Sequence, residues 1–84
     1  MKLRKITGNS SELVLADGTR VLFSYADAVA AYVPGSGWMK TSSDMSKATA
    51  WAVKEWLFEQ DAENVRPVDQ AVLDTLLAAK EQVR

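Results

Sequence analysis

The 84 residues are 48% hydrophobic and 25% charged, a composition that predicts one folded domain spanning residues 1–84 rather than a disordered chain. Ten basic and eleven acidic side chains leave a formal net charge of −1, which argues against a basic nucleic-acid-binding domain and against a polyanion mimic. Cysteine and histidine are absent, which excludes disulfides, thiolate chemistry and the commonest metal ligand and general base.

The first half of the chain predicts an antiparallel sheet of three to five strands. Asp17-Gly18 is typical of a two-residue hairpin turn, because it supplies the positive φ angles that such turns need. Pro34-Gly35-Ser36-Gly37 lacks the spacing of a phosphate-binding loop and is interpreted as a tight turn. The strand segments between turn residues are Lys2–Thr7, Glu12–Ala16, Thr19–Tyr25, Val29–Val33 and Trp38–Thr41.

The second half predicts two helices. Side-chain oxygens suited to an N-cap place the first at Asp44–Gln60 or Ser46–Gln60. Pro67 suits the first turn of the second helix, which we place at Val68–Gln82. Strands followed by helices are typical of an α+β fold, and we expect both helices to pack on one face of the sheet.

The first helix has an apolar face and an aromatic pair on its opposite side. At about 100° per residue, the residues that face the sheet are Met45, Thr49, Ala52, Val53, Trp56 and Leu57. Trp51 and Phe58 lie on the other side, two turns apart. Charged residues share that side: Lys47, Lys54 and Glu55. Aromatic residues among charges are typical of a binding site, although the second helix or the N-terminal strand would instead make them core if it covered them.

Acidic residues are concentrated where the first helix ends: Glu55, Glu59, Asp61 and Glu63. They lack the alternating spacing of a calcium loop, so we interpret them as a solvent-exposed acidic patch and predict no metal site. Together with the aromatic pair and the two lysines, they form the predicted partner-binding surface. No serine or threonine lies in a motif that places a base beside it, so we predict no catalytic residue, no enzymatic activity and no cofactor.

The chain carries no pattern of a targeting or membrane segment. The basic residues at the N-terminus are not followed by the apolar run of about seven to fifteen residues that a secretory signal needs. The longest apolar stretch, Ala28–Pro34, is far shorter than the roughly 20 residues that span a bilayer. We therefore expect a cytoplasmic protein that does not enter membranes.

A pattern of small and aromatic residues runs from Phe23 to Leu57. Its members are Ser24-Tyr25, Val29-Ala30, Gly37-Trp38, Thr41, Ser46, Thr49 and Trp56-Leu57. This pattern resembles that of a family of small domains of unknown function found in phages and other mobile elements of bacteria. The chain departs from it with Asp27-Ala28 in place of Thr-Pro, Trp51 in place of a basic residue and Ala52 in place of a histidine. An activity that depended on that histidine would be absent here.

The resemblance implies a phage or mobile-element origin and a bacterial host cell. By analogy with other short phage proteins, it implies a stoichiometric, anti-CRISPR-like inhibitor that sterically blocks a host defence complex, its partner being a host protein or ribonucleoprotein. One alternative is a nucleic-acid-binding accessory protein, which the net charge disfavours because phosphate neutralisation dominates such affinity. Its contacts would come from Lys2, Arg4, Lys5 and Arg20. Another alternative is a self-assembling structural phage component in which the aromatic pair forms a homodimer.

Overall fold

The computed structural model describes residues 2–6, 10–25 and 27–82, without the side chains of residues 2 and 77–82. The elements are β1 (Lys2–Lys5), β2 (Ser10–Val14), β3 (Arg20–Ser24), β4 (Asp27–Val33), β5 (Gly37–Thr41), α1 (Lys47–Glu59), β6 (Arg66–Val68) and α2 (Gln70–Gln82). The predicted α+β class is confirmed. The described residues form a six-stranded sheet, so the predicted range of three to five strands is too low.

The sheet is mixed, with strands in the order β1-β2-β3-β4-β5-β6. Neighbours are antiparallel except for β5 and β6, which are parallel. The sequence prediction missed β6, because Pro67 was assigned to the first turn of the second helix. Pro67 instead lies opposite Lys40 in an edge strand, where a missing N–H is tolerated. As a result, α2 begins at Gln70 and not at Val68.

The hairpin between β2 and β3 is confirmed, but its turn is longer than predicted. Leu15 N donates to Thr19 O at 2.8 Å and Gly18 N donates to Leu15 O at 3.0 Å, which encloses a three-residue loop. Gly18 has a φ of 95° at the end of this loop. A type I turn followed by a residue of positive φ is a common three-residue connection, so Asp17-Gly18 marked the correct place and the wrong loop length.

The turn between β4 and β5 is confirmed as a tight turn. Ser36 N donates to Val33 O at 2.9 Å, which closes the turn around Pro34 and Gly35. Gly35 has a φ of 88°, a conformation in which a side chain is strained. The conformation of Gly35 is therefore a requirement of the turn backbone.

The two helices pack against different faces of the sheet, so the prediction that they share one face is wrong. Val21 and Leu22 are neighbours in β3, both are buried, and successive strand residues point to opposite faces. Leu22 packs with Val53 and Trp56 of α1, whereas Val21 packs with Leu73 of α2. Both faces of β3 are therefore covered, one by each helix.

Candidate functional site

Helix α1 begins where the sequence predicts a cap. Ser46 is the N-cap residue, and its Oγ accepts a hydrogen bond from Thr49 N at 3.2 Å. The same Ser46 Oγ donates to Thr49 Oγ1 at 3.0 Å. Of the two predicted starts, the structure has the one at Ser46. This cap fixes the first turn of the helix that carries the predicted partner-binding residues.

The middle of α1 is anchored by a buried polar contact that the sequence prediction missed. Trp56 is 1% exposed, which confirms its predicted place in the core, and its Nε1 donates to Glu12 Oε2 at 2.8 Å. The Glu12 side chain is 2% exposed and pairs with Arg4 at 2.9 Å and with Arg20 at 3.7 Å. The indole of Trp38 packs edge-on against Trp56, with ring centroids 5.4 Å apart. The hydrogen bond between Trp56 and Glu12 joins residues 44 positions apart, a separation over which sequence patterns are uninformative.

Both ends of α1 are also tied to β3. Near the first turn, Thr49 Oγ1 and Ser24 Oγ share a buried hydrogen bond of 2.9 Å. At the last turn, Arg20 Nη1 donates to Gln60 Oε1 at 3.1 Å. With the central contact between Trp56 and Glu12, these bonds fix the rotation of α1 about its own axis. The side of the helix that faces away from the sheet is therefore held in one orientation.

That outward side carries the predicted aromatic pair. Trp51 is 61% exposed and Phe58 is 77% exposed, so no element in the described part of the chain covers them. Lys54 and Glu55 lie between them at helical spacing, and we call these four residues the outer face of α1. The alternative in which the aromatic pair belongs to the core is wrong. Whether the outer face binds a partner stays a prediction.

The remaining predicted partner-binding residues are all exposed: Lys47, Glu59, Asp61 and Glu63. A shallow depression of about 580 Å³ lies at the end of α1, where Lys54 and Phe58 meet Asp61 and Glu63. The structure thus brings Phe58 together with part of the acidic patch. Trp51 lies two turns away and lines a different depression.

That second depression, which we call the aromatic depression, has a volume of about 290 Å³ and was not predicted. Tyr25 and Trp51 line it together with Ala48, Ala52 and buried hydroxyl residues. Tyr25, which ends the predicted strand Thr19–Tyr25, lies outside β3, has a φ of 58° and is 69% exposed. A bulky residue in this left-handed conformation is strained by about 1–2 kcal/mol. The chain therefore leaves the strand conformation at Tyr25, directly after the end of β3.

A third depression of about 380 Å³, which we call the acidic depression, adjoins the aromatic one. The two share Ser24, Tyr25 and Thr49 among their lining residues. Three carboxylates from different parts of the chain line the acidic depression: Asp27, Asp44 and Asp74. Separate sequence segments supply them, so no local spacing marks this site.

Several positions of the family-like pattern meet in these two adjoining depressions. The pattern positions that line them are Ser24-Tyr25, Val29, Thr41, Ser46 and Thr49. The departures from the pattern at Asp27, Trp51 and Ala52 line them as well. The pattern was therefore the one signal in the sequence that marked this region, although it was not interpreted as a site.

Two further observations limit the chemistry of the described residues. They contain no group of three or more Asp and Glu side chains arranged to hold a metal ion. No helix among them is long and apolar enough to cross a bilayer.

Comparison with known proteins matches the chain to a family model that covers residues 1–74. The chain belongs to this family, DUF8033, a family of unknown function. The resemblance seen over Phe23–Leu57 is thus confirmed as membership of a family of unknown function. The DUF8033 match does not bear on phage origin, on a reaction or on a partner. Neither the curated proteins nor the solved structures gave a match.

Proposed function

We propose that this DUF8033 protein is a non-catalytic protein-binding module that docks on its partner through the outer face of α1. The observation that carries the proposal is the exposure of Trp51 and Phe58, at 61% and 77%, on a helix that is bonded to the sheet at both ends and in the middle. Exposed aromatic residues at one helix face are typical anchors of a protein interface.

The rigidity of α1 supports this proposal on energetic grounds. Ordering the groups of an interface on binding costs conformational entropy, and this cost lowers the affinity. Groups that are already held in the bound geometry lose less entropy. The bonds that Thr49, Trp56 and Gln60 make to the sheet hold the helix before any partner arrives. The two rings therefore need little ordering beyond their own side-chain rotations.

The charges beside Phe58 indicate the chemistry of the partner. Glu59, Asp61 and Glu63 are exposed at the end of α1, and Lys54 supplies one opposing charge there. A partner surface with an apolar pocket for each ring and basic residues near the Phe58 pocket would complement this arrangement. The acidic end would then accelerate encounter at low salt.

A more specific form of the proposal concerns the identity of the partner. We propose a bacterial defence complex, with inhibition by steric block, and this step is supported by the family-like pattern and by analogy with short phage inhibitors. The chain would then reduce the activity of such a complex at one-to-one stoichiometry. Titration of a purified CRISPR effector with the chain, read as target cleavage, tests this form.

The nucleic-acid alternative is weakened by the contacts of its candidate residues. Arg4 and Arg20 both pair with the buried carboxylate of Glu12, at 2.9 Å and 3.7 Å. Phosphate contacts by these guanidinium groups would compete with their ion pairs to this buried carboxylate. The salt dependence of binding to single-stranded DNA remains the direct test, because phosphate contacts make affinity fall steeply with salt.

The docking proposal is tested by capture with three baits. The wild-type chain is compared with Trp51→Ala/Phe58→Ala and with a matched control, Leu3→Ala/Val72→Ala, which truncates exposed apolar residues elsewhere. We expect wild type and control to capture a partner protein that the outer-face variant does not capture. After purification, this partner should bind the wild-type chain again. Equal capture by all three baits would contradict docking through the outer face. Sedimentation of the chain alone detects the homodimer alternative, in which the outer-face variant would be monomeric and wild type dimeric.

A further inference from the structure

The aromatic and acidic depressions adjoin on the Tyr25 side of the molecule, and together we call them the groove. They share Ser24, Tyr25 and Thr49 and have volumes of about 290 and 380 Å³. The Ser24–Thr49 hydrogen bond of 2.9 Å joins β3 to α1 beneath them. The groove is thus built on the same contact that fixes the first turn of α1.

The acidic half of the groove concentrates negative charge without a compensating cation. Asp27, Asp44 and Asp74 line it, and no lysine or arginine lines either half in the described part of the chain. None of these carboxylates makes a salt bridge to a described side chain. The amide of Gln70 donates to Asp74 Oδ1 at 3.1 Å, which satisfies one oxygen without neutralising the charge. The potential in this half of the groove therefore favours a cation.

The aromatic half favours the same type of ligand for a different reason. Tyr25 and Trp51 are both more than half exposed and line one depression. The faces of tyrosine and tryptophan rings carry a negative quadrupole that attracts a cation, and tryptophan attracts it most strongly. Aromatic residues and carboxylates in one groove together provide stacking and ion pairing.

We propose that this groove receives an arginine side chain of a partner protein. A guanidinium group stacks on aromatic rings and bonds carboxylates through a planar fork of N–H donors, so it matches both halves of the groove better than a compact ammonium does. The phosphates of a nucleic acid would be repelled by the three carboxylates. The inference rests on the proposed function in one respect, that a protein supplies the arginine.

The groove is tested by titrating the full chain with the blocked peptide acetyl-Gly-Arg-Gly-amide and following the amide and indole NMR signals. We expect shifts at Ser24, Thr49 and the Trp51 indole. The same peptide with neutral citrulline in place of arginine should bind at least tenfold more weakly. The lysine peptide should bind more weakly than the arginine peptide, because it cannot form the planar fork.

Two variants locate the binding. Asp27→Asn/Asp44→Asn/Asp74→Asn should weaken the arginine peptide at least tenfold, and so should Tyr25→Asn, since asparagine accepts the left-handed backbone of this position. The control Asp17→Asn/Asp69→Asn neutralises two carboxylates that line neither half of the groove and lie outside the outer face of α1, and it should bind like wild type.

Several results would overturn the inference. One is a citrulline peptide that binds as tightly as the arginine peptide, and another is a control variant that weakens binding as much as the groove variants do. A third is guanidinium ion alone that binds as tightly as the peptide, which would indicate a small organic cation as the occupant. Phe58 is unchanged in every variant, and no partner protein is present. Failure here would therefore leave docking through the outer face of α1 standing, and failure of the capture experiment would leave this titration valid.

Discussion

The buried contact between Trp56 and Glu12 gives the sharpest prediction about the fold. Replacing Trp56 with Ala removes an indole that is 1% exposed, packs against Trp38 and donates to Glu12 Oε2 at 2.8 Å. Truncation of a buried tryptophan costs about 3–5 kcal/mol in the free energy of unfolding. The free energy of unfolding of a domain of 84 residues is about 4–13 kcal/mol in total. The Trp56→Ala variant should therefore be close to unfolding.

A double-mutant cycle separates the hydrogen bond from the packing. Trp56→Phe keeps an aromatic ring in the core and removes the Nε1 donor, which should cost about 1–3 kcal/mol, and Glu12→Ala removes the acceptor. The coupling energy from both single variants and the double variant should be about 1–3 kcal/mol. Urea denaturation followed by circular dichroism provides all the free energies of unfolding.

Two results would refute this account of the core. A loss below about 1 kcal/mol for Trp56→Ala would mean that the faces of α1 are assigned wrongly. Additivity of Trp56→Phe and Glu12→Ala within about 0.5 kcal/mol would mean that the indole and the carboxylate do not interact.

Three further predictions concern the cap, the left-handed residue and the acidic patch. Ser46→Ala should lower the free energy of unfolding by about 1 kcal/mol, measured in urea, because it removes the N-cap of α1. Tyr25→Asn should raise it by up to about 1 kcal/mol in the same assay, because a φ of 58° strains tyrosine more than asparagine; a loss of stability would show that the tyrosine ring packs. Neutralising Glu59, Asp61 and Glu63 together should slow association with the partner and flatten its salt dependence, with little change in dissociation, as stopped-flow kinetics can measure.

The elements predicted correctly are those whose signals are local. The place of the Asp17-Gly18 turn, although not its length, the glycine turn after β4 and the cap at Ser46 each depend on residues within a few positions of one another. Trp56 was placed in the core by helical periodicity alone. Sequence patterns are most informative at this short range.

The elements predicted wrongly depend on contacts between distant residues. β6 has three residues including a proline, and it exists because it pairs in parallel with β5 at a sheet edge. The placement of helices on both faces depends on β3 and β4 being buried on both sides, and a register shift between Leu22 and Phe23 obscures the period of two. Periodicity therefore predicted the packed face of α1. It did not predict that α2 covers the opposite face of the sheet.

The candidate site divides in the same way. The outer face of α1 was predicted because Trp51 and Phe58 are two turns apart on one helix. The groove beside Tyr25 was missed because Asp27, Asp44 and Asp74 come from three segments that meet only in the folded chain.

The measurement that tests the central claim most directly is the affinity of the purified partner for three forms of the chain, taken with the stability of each on the same samples. Trp51→Ala/Phe58→Ala should weaken binding by well over tenfold and leave the free energy of unfolding nearly unchanged, because both rings are exposed. Leu3→Ala/Val72→Ala should bind like wild type. Normal affinity of the outer-face variant, or a loss of several kcal/mol in its stability, would contradict docking through the outer face of α1.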